Sequence, residues 1–156
     1  MLNIDKILVP TDFSSYADLA LKKAVDLAES CSVAKAKIHL VYVWPETPDV
    51  FKLSKYIAEG RKKIKAELEK QSQKYFDEQI AKVTVPENAK IKTKVLQGTP
   101  HREVVDFQKQ IKADMVVIGT HGDTPIKGFF FASTATYFIR HATCSVLIVR
   151  KPKYEK

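Results

Sequence analysis

The sequence predicts an α/β protein built on a five-stranded parallel sheet with helices on both faces. Short apolar runs typical of strands alternate with longer segments whose apolar residues recur at helical spacing, in the order β-α-β-α-β-α-β-α-β. That alternation is typical of doubly wound sheets with right-handed crossovers. The chain has 156 residues and neither an internal repeat nor a low-complexity linker, so we interpret residues 1–156 as one domain.

The predicted strands differ in how deeply the sheet buries them. Lys6–Pro10 is a short apolar run that ends at a proline, and it fits a buried strand. Lys37–Trp44 is rich in β-branched and aromatic residues. Lys90–Leu96 alternates polar and apolar residues, which favours a place nearer the sheet edge. Met115–Ile118 and Val146–Val149 complete the set.

Local signals mark the helix starts. Ser15 with Asp18 matches the pattern [ST]-x-x-[DE] that opens many helices. Thr99 followed by Pro100 predicts an N-cap and a first helical residue. The predicted helices are Ser15–Ser30, Phe51–Ala81, Pro100–Ile111 and Ser133–His141.

Composition and charge narrow the function classes. The chain is 45% hydrophobic, and no apolar run approaches the roughly 20 residues that span a bilayer. The first residues lack a signal-peptide pattern, so we expect a cytoplasmic protein with no membrane segment. The net charge is +8, but the lysines are spread along the chain, and the densest group, Arg61–Lys65, sits among glutamates. We therefore expect no specific nucleic-acid partner.

The sequence shows no arrangement typical of catalysis. Cys31 and Cys144 lack a metal-binding spacing, and we interpret both as reduced and structural. No pair of histidines has the spacing of metal ligands, and no Ser/His/Asp arrangement is supported. We expect a binding protein rather than an enzyme, with slow nucleotide hydrolysis as a further alternative.

The segment Asp114–Arg150 predicts a ligand site. It has the pattern of a strand, a glycine-bearing loop, a short helix and a strand. Free N–H groups and the dipole at a helix start favour an anion such as phosphate. Ligands of open α/β sheets bind at the carboxyl ends of the strands, where Pro10–Asp12, Val41–Trp44, Gly98 and Gly119–Gly122 are expected to converge.

Four motifs in order resemble the universal stress protein family along nearly the whole chain. They are K-I-L-V-P-T-D-F-S-x-x-A at Lys6–Ala17, V-L-Q-G-x-P at Val95–Pro100, A-D-M-V-V-I-G-T-H-G at Ala113–Gly122 and R-H-A-x-C-x-V-L-I-V at Arg140–Val149. The resemblance implies an adenine-nucleotide alpha-hydrolase-like (Rossmann-like) fold with strand order 3-2-1-4-5. It also implies a homodimer formed through Val146–Val149, a stress-response role and a protein partner that the sequence does not identify.

ATP-binding members of that family carry G-x2-G-x9-G-[ST]. Gly119 and Gly122 match the first two glycines, Ala132 replaces the third, and Ser133 retains the hydroxyl. Alanine is strained by about 1 kcal/mol or more if residue 132 needs a positive φ, and is well tolerated if it simply opens a helix. Two hypotheses therefore stand, an ATP-binding protein and a dimeric scaffold that binds no nucleotide.

The resemblance implies the remaining ligand positions. Asp12 matches an acidic residue near adenine and ribose, with capping of the first helix as its structural alternative. Val41 matches a residue against adenine, or is plain core. The complete implied set is Pro10, Thr11, Asp12, Val41, Ile118, Gly119, Gly122, Ala132, Ser133, Thr134 and Ala135. The implied ligand is ATP, with or without Mg²⁺, or AMP or another adenine nucleotide.

Overall fold

The computed structural model of the protein describes residues 3–31, 35–45, 58–120 and 131–152. The strands are β1 (Lys6–Pro10), β2 (Ala36–Pro45), β3 (Ala89–Gly98), β4 (Met115–Gly119) and β5 (Ser145–Val149). The helices are α1 (Ser15–Cys31), α2 (Ala58–Ile80), α3 (Pro100–Ile111) and α4 (Phe131–His141). Every element begins and ends within two residues of its predicted bounds, except that the predicted start of α2 at residues 51–57 lies outside the described residues.

The strands form one parallel sheet in the order β3-β2-β1-β4-β5, which confirms the expected strand order. The central strand β1 pairs with β2 on one side and with β4 on the other. β3 and β5 are the outermost strands of this sheet. The alternating pattern of β3 is explained by that position, because every second residue from Lys90 to Lys94 is exposed.

Two apolar layers enclose the sheet, one on each face. Ile7 and Val9 of β1 belong to the layer shared with α1 and α2. Leu8, between them, belongs to the layer shared with α3 and α4. Successive side chains of a strand point to opposite faces, so a fully apolar β1 is the pattern that a strand covered on both faces requires.

Helix α1 lies close to the sheet because its inner face is made of small residues. Ala17, Ala20, Ala24 and Ala28 are all fully buried. The predicted capping residue was wrong by one position. The Ser14 hydroxyl accepts the backbone N–H of Ala17 at 3.3 Å. Ser14 therefore occupies the N-cap position that was predicted for Ser15. No helix in the described ranges is long and apolar enough to cross a membrane.

Both cysteines are half-buried free thiols. Burial raises the pKa of the Cys144 thiol, and the nearby charge of Asp114 raises it further. A thiol with a raised pKa forms little thiolate at neutral pH. The structure thus agrees with the interpretation of Cys144 as a packing residue.

Candidate functional site

The carboxyl ends of β1 and β4 lie side by side in the middle of the sheet. Leu8 pairs with Val116, and the same register continued brings Pro10 level with Ile118. The chain builds β2 and β3 on one side of β1 and then crosses to build β4 and β5 on the other. The strand order therefore reverses between β1 and β4, which is where open α/β sheets bind ligands.

The segment that follows β1 is buried and firmly attached. Pro10, Thr11 and Asp12 are all buried. The backbone N–H of Thr11 donates to the Val41 carbonyl at 2.8 Å, which extends the pairing of β1 with β2 one residue beyond the strand. Val41 is fully buried in the apolar layer under α3, so its structural role as a core residue is established.

The Thr11 side chain joins this segment to two helices. Its hydroxyl donates to Oε1 of Gln79 at 2.9 Å and accepts the Phe13 N–H at 2.9 Å. The Gln79 side-chain amide donates in turn to Asp18 of α1 at 2.9 Å. Asp18 also pairs with Lys82 at 2.7 Å. This chain of contacts links the end of β1, the first turn of α1 and the end of α2.

Asp12 supplies a buried carboxylate at the start of α1. It is fully buried, and its Oδ1 accepts the backbone N–H of Ser14 at 2.9 Å. Its negative charge lies at the N-terminal end of the helix dipole, where an anion is favoured. The pKa of the Tyr42 phenol is raised, chiefly by burial and then by the charges of Asp12 and Tyr75. The Asp12 carboxylate therefore lies at the helix start and contributes to the raised pKa of Tyr42.

Phe13 is a feature that the sequence analysis missed. Its φ is 62°, in the left-handed region that non-glycine residues rarely adopt. Its ring centroid lies 5.0 Å from that of Tyr42, 5.3 Å from that of Tyr75 and 5.3 Å from that of Phe76. Aromatic pairs contribute about 0.5–1.5 kcal/mol beyond their burial, which is enough to offset a strain of about 1–3 kcal/mol. No local sequence signal marked this conformation.

Gly119, at the end of β4, has a packing reason to be glycine. A Cβ atom placed there would lie 3.0 Å from both the Cβ and the carbonyl oxygen of Tyr16. Helix α1 can pass this close to β4 only because Gly119 has no side chain. Ile118 beside it is fully buried in the layer under α3 and α4.

The predicted phosphate side is only partly described. Ala132 and Ser133 lie in the first turn of α4, but their side chains are outside the described set. Thr134 and Ala135, in the same turn, are buried. Gly122 lies outside the described residues, together with the rest of the predicted glycine-bearing loop.

Lys151 adds a cation that the sequence analysis missed. Lys151, two residues after β5, folds back onto the start of α1. Its ammonium donates to the Ser15 hydroxyl at 2.8 Å and lies 4.5 Å from the centroid of the Tyr16 ring. A positive charge is thus held beside the same helix turn that packs against Gly119.

These features define a doubly wound, Rossmann-like α/β protein whose topological switch point carries a buried carboxylate on one side and a glycine on the other. The model of the universal stress protein family matches residues 3–150, and the chain belongs to that family. The motifs from Lys6 to Val149 had indicated the same membership.

Two proteins of Methanocaldococcus jannaschii show the extent of the likeness. Universal stress protein MJ0531 is 34% identical over 150 residues, which cover 96% of this chain and 84% of that protein. The solved structure of MJ0577 is 26% identical, with a TM-score of 0.67 over 97% of this chain and 99% of that one. The universal stress protein UspA of Lactobacillus plantarum is 25% identical, with a TM-score of 0.63 over 96% of this chain and all of that one.

Proposed function

We propose that this protein binds an adenine nucleotide, with ATP as the first candidate, at the carboxyl ends of β1 and β4. It acts in the cytoplasm as a stress-response regulator that changes its protein contacts, rather than as an enzyme. Family membership supports the stress-response role. Two more distant members of the fold, 21% and 17% identical with TM-scores of 0.57 and 0.54, were solved in complex with cAMP and with dAMP, and they support the choice of adenine.

The observation that carries the proposal is that Asp12, two residues past the end of β1, and Gly119, at the end of β4, flank the switch point of the sheet. Asp12 is a buried carboxylate with one oxygen on the Ser14 N–H, and ribose hydroxyls are suitable donors to such a group. Gly119 lets Tyr16 pack against the end of β4, which brings the start of α1 to this edge of the sheet. The phosphates then extend toward the start of α4, where the proposal places Gly122, Ala132, Ser133, Thr134 and Ala135.

A thermal-shift titration tests the proposal directly. The protein is titrated with ATP, with and without Mg²⁺, and with AMP, cAMP and GTP. A ligand at 100 times its Kd stabilises the folded state by about 2.7 kcal/mol, which gives a clear shift. We expect a saturable, adenine-selective rise. No rise at millimolar ATP, AMP or cAMP would overturn the proposal.

A pair of charge-matched variants tests the site. Asp12→Asn keeps an oxygen acceptor for the Ser14 N–H but removes the charge. Asp26→Asn makes the same change on the exposed surface of α1. We expect Asp12→Asn to weaken nucleotide binding about ten-fold or more and Asp26→Asn to change it less than about two-fold. Equal affinities in the two variants would move the site away from Asp12.

A dimeric scaffold that binds no nucleotide is the second candidate. β5 is an outermost strand of the sheet, and Leu147 on β5 and Ile139 on α4 are exposed apolar side chains, at 37% and 65%. An antiparallel pairing of Val146–Val149 with its copy would cover this edge. Analytical ultracentrifugation should show that Leu147→Asp dissociates the dimer, whereas Ile64→Asp on α2 should not.

Ala132 separates the two candidates. If the parent protein binds no nucleotide and Ala132→Gly creates binding, the scaffold candidate holds and the alanine has closed the site. If the parent binds ATP and Ala132→Gly leaves the affinity within about two-fold, the alanine is a tolerated first-turn residue.

A further inference from the structure

Three lysines stand side by side across the amino ends of three strands. Lys6 of β1 pairs with Lys37 of β2, and Lys37 pairs with Lys90 of β3. Residues paired in this way point to the same face of a sheet and lie about 4.8 Å apart from strand to strand. Like charges opposite one another destabilise a sheet, so this row has an energetic cost when nothing neutralises it.

The positive charge continues along β3. Lys90, Lys92 and Lys94 are all exposed and alternate with inward residues, so they share one face of the strand. Their partners on β2 are Lys37, His39 and Val41. We call this surface the basic sheet face and define it by the exposed residues Lys37, Lys90, Lys92 and Lys94, together with Lys6.

Acidic groups do little to neutralise this face. The ion pairs among the described residues join Lys65 to Glu69 and Lys82 to Asp18, and neither involves the basic sheet face. Asp114 lies near Lys6, but its carboxylate accepts the backbone N–H groups of Asp5 and Lys6. The Lys6 ammonium donates to the Ile111 carbonyl at 3.1 Å.

His39 lies on the basic sheet face, and the charges of the lysines there affect its pKa. Its pKa is lowered, first by burial and then by the charges of Lys92, Lys37 and Lys6. Burial and these three lysine charges all act in the same direction. Lysines from three separate parts of the chain, Lys6, Lys37 and Lys92, therefore place positive charge around His39.

Protection of the sheet edge explains only part of this surface. Lysines on an outermost strand discourage pairing with other chains, which accounts for Lys90, Lys92 and Lys94. It does not account for Lys37, because β2 lies inside the sheet. Lys6 lies one strand further in, and the row reaches it without a break.

We propose that the basic sheet face binds an extended acidic segment of a partner protein, laid along β3 with an acidic side chain at every second residue. An extended peptide repeats its side chains at the same interval of about 6.6 Å as Lys90, Lys92 and Lys94. No described strand pairs with the outer edge of β3, so a peptide can also bond to its main chain.

Single-stranded nucleic acid fits this surface less well. Binding of single strands relies on aromatic rings that stack on bases. The aromatic ring of Phe107 lies beside His39, with 6.0 Å between the two ring centroids. Phe107 is half-buried. The described part of this face presents no exposed aromatic side chain. Lys6, Lys37 and Lys90 lie at the amino ends of their strands, whereas Lys94 is level with Val41 and Pro10.

Fluorescence anisotropy with a defined probe tests the proposal. The probe is a labelled peptide as long as β3 in which glutamate and threonine alternate. A peptide of the same composition with its glutamates in one block and an oligothymidylate of equal charge are compared with it. The triple variant Lys90→Gln, Lys92→Gln, Lys94→Gln removes the charges along β3. The control variant Lys62→Gln, Lys63→Gln, Lys70→Gln removes the same charge from exposed positions on α2.

We expect the β3 variant to weaken binding of the alternating peptide about ten-fold and the α2 variant to weaken it less than about two-fold. Lys37→Gln alone should also weaken it measurably, and amide exchange on β3 should slow in the complex. If the β3 and α2 triple variants lose the same peptide affinity, the peptide is attracted by net charge alone and the proposal is overturned. Equal affinity for the blocked peptide, or tighter binding of the oligothymidylate, would overturn the proposal.

Discussion

The Thr11 hydroxyl donates a hydrogen bond of 2.9 Å to Oε1 of Gln79, across 68 positions of the chain. Both side chains are buried, at 0% and 2% exposure, so this bond attaches the ligand side of β1 to the end of α2. Nucleotide binding beside Asp12 would therefore act on a segment that is already connected to the long outer helix. This connection offers a physical route by which the site could influence the α2 surface.

Replacement of Gln79 by leucine should destabilise the protein by about 1–3 kcal/mol. The change removes a buried hydrogen bond to Thr11 and a partly buried one to Asp18, and it leaves the Thr11 donor without its partner. Urea denaturation measures the effect. Gln73→Leu on the same helix is the control, because Gln73 is exposed, and it should change stability by less than about 0.5 kcal/mol. If Gln79→Leu and Gln73→Leu lose the same amount of stability, the Thr11–Gln79 bond is not important for the fold.

The strained backbone of Phe13 predicts an unusual order of stabilities. Both Phe13→Ala and Phe13→Gly lose the aromatic contacts, but only glycine adopts a φ of 62° without strain. We therefore expect Phe13→Gly to be the more stable variant by about 0.5–1 kcal/mol. In helix α3 the order should be reversed, with Phe107→Ala more stable than Phe107→Gly by about 1 kcal/mol. Thermal denaturation of the four variants provides the comparison. If Phe13→Ala is more stable than Phe13→Gly, the backbone at position 13 is not strained.

Gly119→Ala should destabilise the protein even without nucleotide. The added methyl group meets the Tyr16 backbone at 3.0 Å, so α1 or β4 must shift, at a cost of about 1–3 kcal/mol. Gly60→Ala is a control within α2, where alanine should leave stability unchanged or raise it by up to about 1 kcal/mol. Calorimetry of the free proteins is the measurement. A Gly119→Ala protein as stable as the parent would mean that this glycine serves the ligand alone.

His39 predicts a pH dependence of stability. Its pKa in the folded protein lies below the usual 6.5, because burial and the charges of Lys92, Lys37 and Lys6 disfavour the imidazolium. Below pH 6.5 the unfolded chain therefore binds more protons at this residue than the folded chain. The stability that neutral His39 allows is therefore fully present above pH 6.5, and it is lost as the pH falls through the lowered pKa of the folded protein.

His39→Gln should accordingly flatten the acid side of the stability curve relative to the parent. Urea denaturation across the acidic range gives the curves. An NMR titration of the His39 ring should also show its pKa rising in Lys92→Gln, since one of the opposing charges is gone. If the parent and His39→Gln lose stability in parallel as the pH falls, His39 does not contribute to the pH dependence of stability.

The elements of this fold were predictable because their signals are local. Each signal depends on a few neighbouring residues. Examples are the apolar run that ends at Pro10, the helical spacing of apolar residues after Ser15, and Thr99 placed before Pro100. The family motifs then indicated the strand order, which the structure confirms. The proposed roles of Asp12 and Gly119 in nucleotide binding stay predictions, although their place at the switch point is now described.

The contacts that shape the site depend on register and packing instead. Nothing near Thr11 in the sequence indicates that Gln79 is its partner, and nothing near Phe13 indicates a positive φ. The lysines at positions 6, 37 and 90 seemed to be scattered charge until the parallel pairing placed them in one row. Sequence alone determined which segments become strands and helices. Only the tertiary structure decided which distant side chains meet, because register in a parallel sheet is set by how the crossover helices pack.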